Sequence, residues 1–475
     1  MSNVLVPVAR NFEGVRVPCD FTATANGVQI ALSGDPAVFF IPPGTTTLDV
    51  TAKPQKPAYW DHGVSLTLSA SGVPAAAAVS QIRTKLRTTA QAGTQVTILT
   101  INLSRFKEAT SEVLNLLSNP PTARLGQPVD EIQDHQGLYG SFPPADWKLH
   151  PANHVHYIDP INPELPGALN FALAPSLNLA GESVVLRLAG VKAPKLFAVV
   201  WPQTIAPRID AAPTPIFLFI RQGAGQNVGI GLFKGGQLAA YPDNFDYANT
   251  CLFQNLHYSA FSPLELWGSK GVPYQLARSG TKAVTVIPCN GVGPEFGVVA
   301  DMEETGKILK ELQAFMFWRA GVQKPPATIG NTAIGAFSSG NLFLNKWLKD
   351  PANRSSDFLS TIVKAVYFLD PPTNMINDCI ASALAWAGAP ERDKRIRLYS
   401  RKATDAHKKL LGQAPPREPF VRTTTDKRRT ASAVDAGSWT KIAKNAGFPH
   451  NVDWQEAHHT IAATMLTHAL GQGDI

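Results

Sequence analysis

Apolar positions along the 475-residue chain follow two patterns. Over the first hundred residues they come in short β-branched or alternating runs, at 28–32, 38–41, 47–51, 64–69 and 95–103. Turn-forming residues separate these runs: Asn26-Gly27, Gly34-Asp35, Pro42-Pro43-Gly44 and Gly72-Val73-Pro74. Short, evenly spaced strands with such punctuation predict an antiparallel sandwich or barrel. Residues 104–119 then predict a helix, with Ser104 as cap, Phe106, Val113, Leu114 and Leu117 near one face, and Pro120-Pro121 as the stop. Residues 120–180 are rich in Pro, His and Asn and have little periodicity, so they read as an irregular connection.

Beyond about residue 182 the pattern changes. Runs at 184–188, 196–201, 215–220, 283–288, 328–337, 363–369 and 395–399 are apolar or β-rich throughout, and helical stretches lie between several of them. The clearest helix is 302–320, with Ile308, Leu309, Leu312, Phe315 and Met316 at helical spacing and Gly321 as the stop. Strands apolar on both faces, alternating with helices, predict an α/β fold with a mostly parallel sheet covered on both sides. The expected organisation is a β-rich accessory domain over 1–150, a linker over 151–181 and an α/β domain over 182–475.

Composition narrows the function classes. With 44% hydrophobic and only 17% charged residues, the chain has ample core material, so disorder throughout is excluded. The balance of Lys+Arg over Asp+Glu is 43 − 36 = +7, mild for this length, and no nucleic-acid partner is expected. No run of eighteen apolar residues exists, so no transmembrane segment is expected. The opening residues MSNVLVPVARNFEG carry no signal-peptide pattern. Cys19, Cys251, Cys289 and Cys379 are far apart and form no metal-ligand spacing. The compartment expected is the cytoplasm, with unconventional export the alternative.

The chemistry concentrates in residues 327–345, ATIGNTAIGAFSSGNLFLN. A β run ends in Ala336-Phe337-Ser338-Ser339-Gly340 and a helical pattern (Leu342, Phe343, Trp347, Leu348) follows at once. This is the strand–turn–helix context of a nucleophile elbow, where the nucleophile sits in strained backbone at a sharp turn. Strand and helix approach closely there, so small residues are needed two before and two after it. Ala336 and Gly340 meet that need around Ser338. Around Ser339 the first of those places falls to Phe337.

These features resemble the α/β-hydrolase family over roughly residues 182–475, with Ala336 where the G-x-S-x-G motif has its first glycine. The resemblance implies a serine esterase or lipase that needs no cofactor and no metal, with its acid after a later strand and its histidine last. Asp370, in Asp370-Pro371-Pro372 after the run ending at 369, is the favoured acid, and Asp405 is the alternative. For the base the order is His458, then His459, then His450. An Asp453…Glu456 capping box sets the first two in the opening turns of a final helix whose apolar face is Ile461, Met465, Leu466, Ala469 and Leu470. The implied oxyanion donors are the backbone N–H groups of Ser339 and of Gln222, the latter in the glycine-rich loop 221–225. The implied substrate is a small-molecule or lipid-like ester with an apolar acyl group.

Other features read more plainly. His154, His156 and Asp159 suit a surface loop better than a metal site. The basic residues Arg392, Lys394, Arg395, Arg397, Arg401 and Lys402, and the run 427–429, read as a solvated positive face. The apolar stretch 374–389 reads as a crossover helix or a pocket wall, and the aromatic-rich segment 241–267 as a pocket mouth. The competing class is a binding or scaffold protein on the same fold without catalysis. A secreted lipase-like effector would share the chemistry and differ in location. The oligomeric state is left open.

Overall fold

The computed structural model describes residues 2–34, 36–69, 83–91, 93–108, 181–191, 196–202, 212–220, 272–288, 297–388, 393–401, 405–412, 422–423, 428–433, 458, 461–462, 465–466 and 468–475. Nine strands come first: β1 (Ser2–Arg10), β2 (Cys19–Ala25), β3 (Val28–Ile30), β4 (Leu32–Ser33), β5 (Val38–Ile41), β6 (Thr47–Pro54), β7 (His62–Thr67), β8 (Thr84–Gln91) and β9 (Thr94–Asn102). They form two sheets, ordered β4-β5-β1-β9-β8 and β3-β2-β6-β7. Side chains alternate along a strand. Leu5, Phe39 and Leu99 of one sheet therefore meet Leu48, Val50, Val64 and Leu66 of the other in one apolar cluster.

The pairing is not purely antiparallel: β1 runs parallel to β9 from Ser2↔Thr94 to Arg10↔Asn102. A parallel pair needs a long crossover, and strands of the other sheet lie in sequence between β1 and β9. Pro7 makes β1 hard to read as a strand from pattern alone.

The helix expected at 104–119 starts instead as a strand. Phe106–Glu108 forms β10, antiparallel to β11 (Gly181–Leu188). Ser104 Oγ accepts from the Phe106 N–H at 3.0 Å, a local turn that competes with helix formation. Phe106 is then buried edge-on against Phe197, with ring centroids 5.6 Å apart. Residues 109–119 lie outside the described residues.

The remaining strands are β12 (Leu196–Pro202), β13 (Ile216–Ile220), β14 (Val284–Pro288), β15 (Thr332–Phe337), β16 (Val363–Leu369), β17 (Arg395–Ser400), β18 (Arg422–Thr423) and β19 (Arg429–Ala433). With β10 and β11 they form a ten-stranded sheet, ordered β10-β11-β12-β14-β13-β15-β16-β17-β19-β18. The sheet is mixed. The run β14-β13-β15-β16-β17-β19 is parallel, and the pairs β10/β11, β11/β12, β12/β14 and β18/β19 are antiparallel. The expectation of a mostly parallel sheet is thus corrected at both edges. Only residues 189–195 join β11 to β12, too few for a crossover.

The described helices are α1 (Val272–Ser279), α2 (Met302–Arg319), α3 (Gly340–Lys349), α4 (Pro351–Ser355), α5 (Ile376–Ala387) and α6 (Asp405–Leu411). Asp301 caps α2, its carboxylate accepting from the N–H groups of Glu303 (2.9 Å) and Glu304 (3.2 Å). Alternate residues of β13 enter different apolar clusters. Ile216, Leu218 and Ile220 pack with residues of α2, α3 and α5. Phe217 and Phe219 pack with Val272, Leu276, Ile461, Met465 and Leu466. Helix α5 buries Ile376, Cys379, Ile380, Ala383 and Trp386 in the first cluster, which makes it a crossover helix on the sheet rather than a pocket wall.

The two parts of the chain are joined by specific polar contacts. Trp60 Nε1 donates to the Arg187 carbonyl (3.1 Å), the Arg105 N–H donates to Glu311 (2.8 Å), and Arg105 pairs with Glu304 (2.7 Å).

The end of the chain is pinned to the sheet. Arg397 Nε donates to Asp474 Oδ2 (2.8 Å), Arg397 Nη2 to Oδ1 (2.5 Å), and the Tyr367 hydroxyl to Oδ2 (3.1 Å), all among buried groups. Helix α1 and the turn after it hold the same segment: Gln275 donates to the Ala462 carbonyl (2.9 Å) and Thr281 to the Leu470 carbonyl (2.8 Å). Tyr399 Oη lies 2.8 Å from His468 Nδ1.

His468 is pushed down from 6.5 to about 4, by burial first and by Arg397 next. A buried base with a lowered folded value prefers to be neutral. Its contribution is therefore present above about pH 6.5 and is lost as pH falls toward 4. That gap corresponds to roughly 3 kcal/mol. The melting temperature of the wild type, relative to that of His468→Gln, should fall between pH 6.5 and 4. A difference that stays flat across that window would show that His468 does not carry the acid sensitivity.

Candidate active site

The middle of the ten-stranded sheet sets the site. In register, Phe337 of β15 lies beside Leu369 of β16, and Leu369 beside Tyr399 of β17. Parallel strands end at one rim, so the residues that follow them, Ser338, Asp370 and Arg401, emerge side by side.

Ser338 has φ +51°, in the left-handed region that costs a non-glycine residue about 1–3 kcal/mol. Surrounding bonds hold it there. Its N–H donates to the Leu369 carbonyl (3.0 Å), and its carbonyl accepts from the Asn341 N–H (3.0 Å) and from Asn341 Nδ2 (2.8 Å). The same Asn341 amide donates to the Leu369 carbonyl (3.0 Å), tying the elbow to the neighbouring strand. Ala336 and Gly340, two before and two after Ser338, are both buried. Ser339 follows at the N-cap of α3 and is half-buried.

Asp370 also has positive φ, +41°, and its N–H donates to the Tyr399 carbonyl at 2.6 Å. Its side chain is 3% exposed. His458 is buried between the two strand ends. Its Nε2 lies 3.0 Å from Ser338 Oγ, its Nδ1 bonds Asp370 Oδ2, and the Phe337 ring stacks on it at 4.6 Å and 30°. A carboxylate on Nδ1 fixes the neutral tautomer with its proton there, leaving the Nε2 lone pair toward the serine hydroxyl. In that state Ser338 donates to His458. A hydroxyl aimed at a neutral imidazole whose far nitrogen is held by a buried carboxylate is set up to lose its proton as the oxygen attacks an electrophile.

The structure thus brings Ser338, Asp370 and His458 together. It does not bring in Asp405, which is exposed at the start of α6. Gln222 and the rest of loop 221–225, His459, His450, the group His154, His156 and Asp159, and segment 241–267 lie outside the described residues. Among the described residues no group of three or more His, Cys, Asp and Glu is placed to hold a metal ion, and no helix is long and apolar enough to cross a membrane.

The basic cluster is not the solvated face that composition suggested. Lys394 is buried, donating to the carbonyls of Ser360 (2.8 Å) and Val363 and lying 4.9 Å over the Trp386 ring. Arg397 is buried on Asp474. Arg401 turns onto Asp370: its N–H donates to Oδ1 at 2.8 Å, and its Nε lies 2.5 Å from Oδ2. Arg392, Lys402 and Lys427 lie outside the described residues. Asn341 escaped the sequence reading, which placed Arg401 only on a solvated face. The one available signal for its role at the site was its place directly after a strand adjacent to the one that leads into Asp370.

No family model matches the chain, and no curated protein matches it. Among solved structures, a mutant feruloyl esterase module from Clostridium thermocellum, complexed with sinapinate, is 14% identical at a TM-score of 0.30, over 61% of this chain and 88% of that one. A ferulic acid esterase is 12% identical at a TM-score of 0.29, over 63% and 100%. An esterase from Pyrococcus furiosus is 9% identical at a TM-score of 0.21, over 48% and 74%. At scores this low, the activities of these proteins do not transfer to this chain.

Proposed function

We propose that the protein is a serine hydrolase that cleaves carboxylic esters through an acyl-enzyme on Ser338. The observation that supports it most is the unbroken line from Ser338 Oγ through both nitrogens of His458 to Asp370. In this reading His458 takes the Ser338 proton as Oγ attacks the ester carbonyl carbon. Asp370 keeps the imidazole oriented and stabilises its charged form. The proton then passes to the departing alcohol. Water, activated by the same imidazole, releases the acid and restores Ser338. The oxyanion is held by the backbone N–H of Ser339, at the start of α3, and by that of Gln222. The steps use the chain's own groups and call for no cofactor.

The architecture we read around this site is an α/β-hydrolase sheet covered on both faces. Its support is the division of β13 side chains between two apolar clusters. The apolar acyl preference rests on the aromatic-rich residues 241–267, which lie in sequence between β13 and α1.

A fluorophosphonate probe tests the reading, because it phosphonylates only an activated serine. Wild-type protein should label and Ser338→Ala should not. An unlabelled wild type, or equal labelling of both, would leave the non-catalytic scaffold as the better account.

A further inference from the structure

We propose that Arg401 is a positioning residue that lowers the basicity of His458 through Asp370, and so sets the lower pH limit of the reaction. This rests on the serine-hydrolase reading above. Arg401 meets Asp370 twice: its backbone N–H donates to Oδ1 at 2.8 Å, and its Nε makes a charge contact with Oδ2 at 2.5 Å that lacks hydrogen-bond alignment. Oδ2 is also the oxygen bonded to His458 Nδ1. The Arg401 side chain is only 14% exposed and that of Asp370 only 3%, so water screens the pair little.

The two contacts do different work. The backbone N–H of Arg401, with the bond from the Asp370 N–H to Tyr399, already orients the carboxylate. The guanidinium adds a positive charge on the oxygen that the imidazole shares. A lone carboxylate favours the imidazolium and raises its basicity. A cation on the same carboxylate cancels part of that field. His458 then stays neutral, and able to accept the Ser338 proton, to lower pH than a bare Asp370 would permit. Among the described residues, the Ser338 hydroxyl and the Phe337 ring also face His458, and both are uncharged. Among the described residues, the charged groups paired with Asp370 are His458 and Arg401.

The test is the pH profile of kcat/KM on a neutral aryl ester, which reports ionisations of the free enzyme. Arg401→Gln and Arg401→Met keep the backbone N–H and lose the charge. Their acidic limb should move up by on the order of one pH unit. Arg401→Lys should leave the limb where the wild type has it. An unmoved limb in both neutral variants overturns the proposal. Unfolding of both neutral variants, read from melting curves, overturns it too, because Arg401 would then serve only to hold the fold. A wild type that neither turns over ester nor takes the phosphonate label removes the hydrolase reading and this inference with it. That outcome is distinct from an active enzyme with an unmoved limb.

Discussion

Ser338→Ala should lower kcat on a neutral aryl ester by roughly 10⁵-fold, with His458→Ala close to the same loss. The two effects should not add. The hydroxyl is a useful nucleophile only while the imidazole removes its proton, and the imidazole has no task once the hydroxyl is gone. Ser338→Ala,His458→Ala should therefore be about as inactive as either single variant. The fold should survive the serine change. Ser338 is half-buried, its backbone bonds run through its N–H and carbonyl, and an alanine side chain tolerates φ +51° about as poorly as a serine. Steady-state kinetics with matched melting curves decide the matter. A Ser338→Ala protein that keeps a tenth or more of the activity, at about that resolution, would exclude Ser338 as the nucleophile.

Asp474→Ala should cost about 3–5 kcal/mol of stability in urea unfolding. Asp474 accepts two bonds from Arg397 and one from Tyr367, and Arg395 Nε lies 3.7 Å away. Arg397 is 1% exposed, so removing its carboxylate leaves a buried guanidinium charge without the Asp474 partner. The penalty belongs to the orphaned charge more than to the lost attraction. The double variant Arg397→Met,Asp474→Leu should therefore be more stable than Asp474→Ala alone. The effect should also reach the site. Asp474 closes the segment that carries His458, and β17, which bears Arg397, leads directly to Arg401. Activity should decay at lower temperature in Asp474→Ala, in step with unfolding. A loss under about 1 kcal/mol, the scale of a surface pair, would show that this contact is not a buried clamp.

Residues 216–220 and 284–288 were legible as strands because a strand buried on both sides is apolar at nearly every position. The elbow was legible because close approach of β15 and α3 demands small residues around Ser338, and Ala336 and Gly340 are visible in the chain. The segment 104–108 was misread. A serine followed by helix-compatible spacing looks alike whether its hydroxyl caps a helix or closes a turn before a strand, and β11, far along the chain, decides between them. The same holds for β1, whose partner β9 lies ninety-two residues on, 94 − 2 = 92.

The sequence by itself determined where the buried strands run, that α/β material follows β-rich material, and that Ser338 sits at a strand-to-helix turn. Those are local properties, written in apolar period and residue size. Only the tertiary structure decided that the large sheet is mixed, that Asp370 rather than Asp405 meets His458 beside Ser338, and that Arg401 and Arg397 turn inward onto carboxylates. The physical reason is distance. Eighty-eight residues separate Asp370 from His458, 458 − 370 = 88, and no local pattern records which side chains meet when parallel strands end at a common rim.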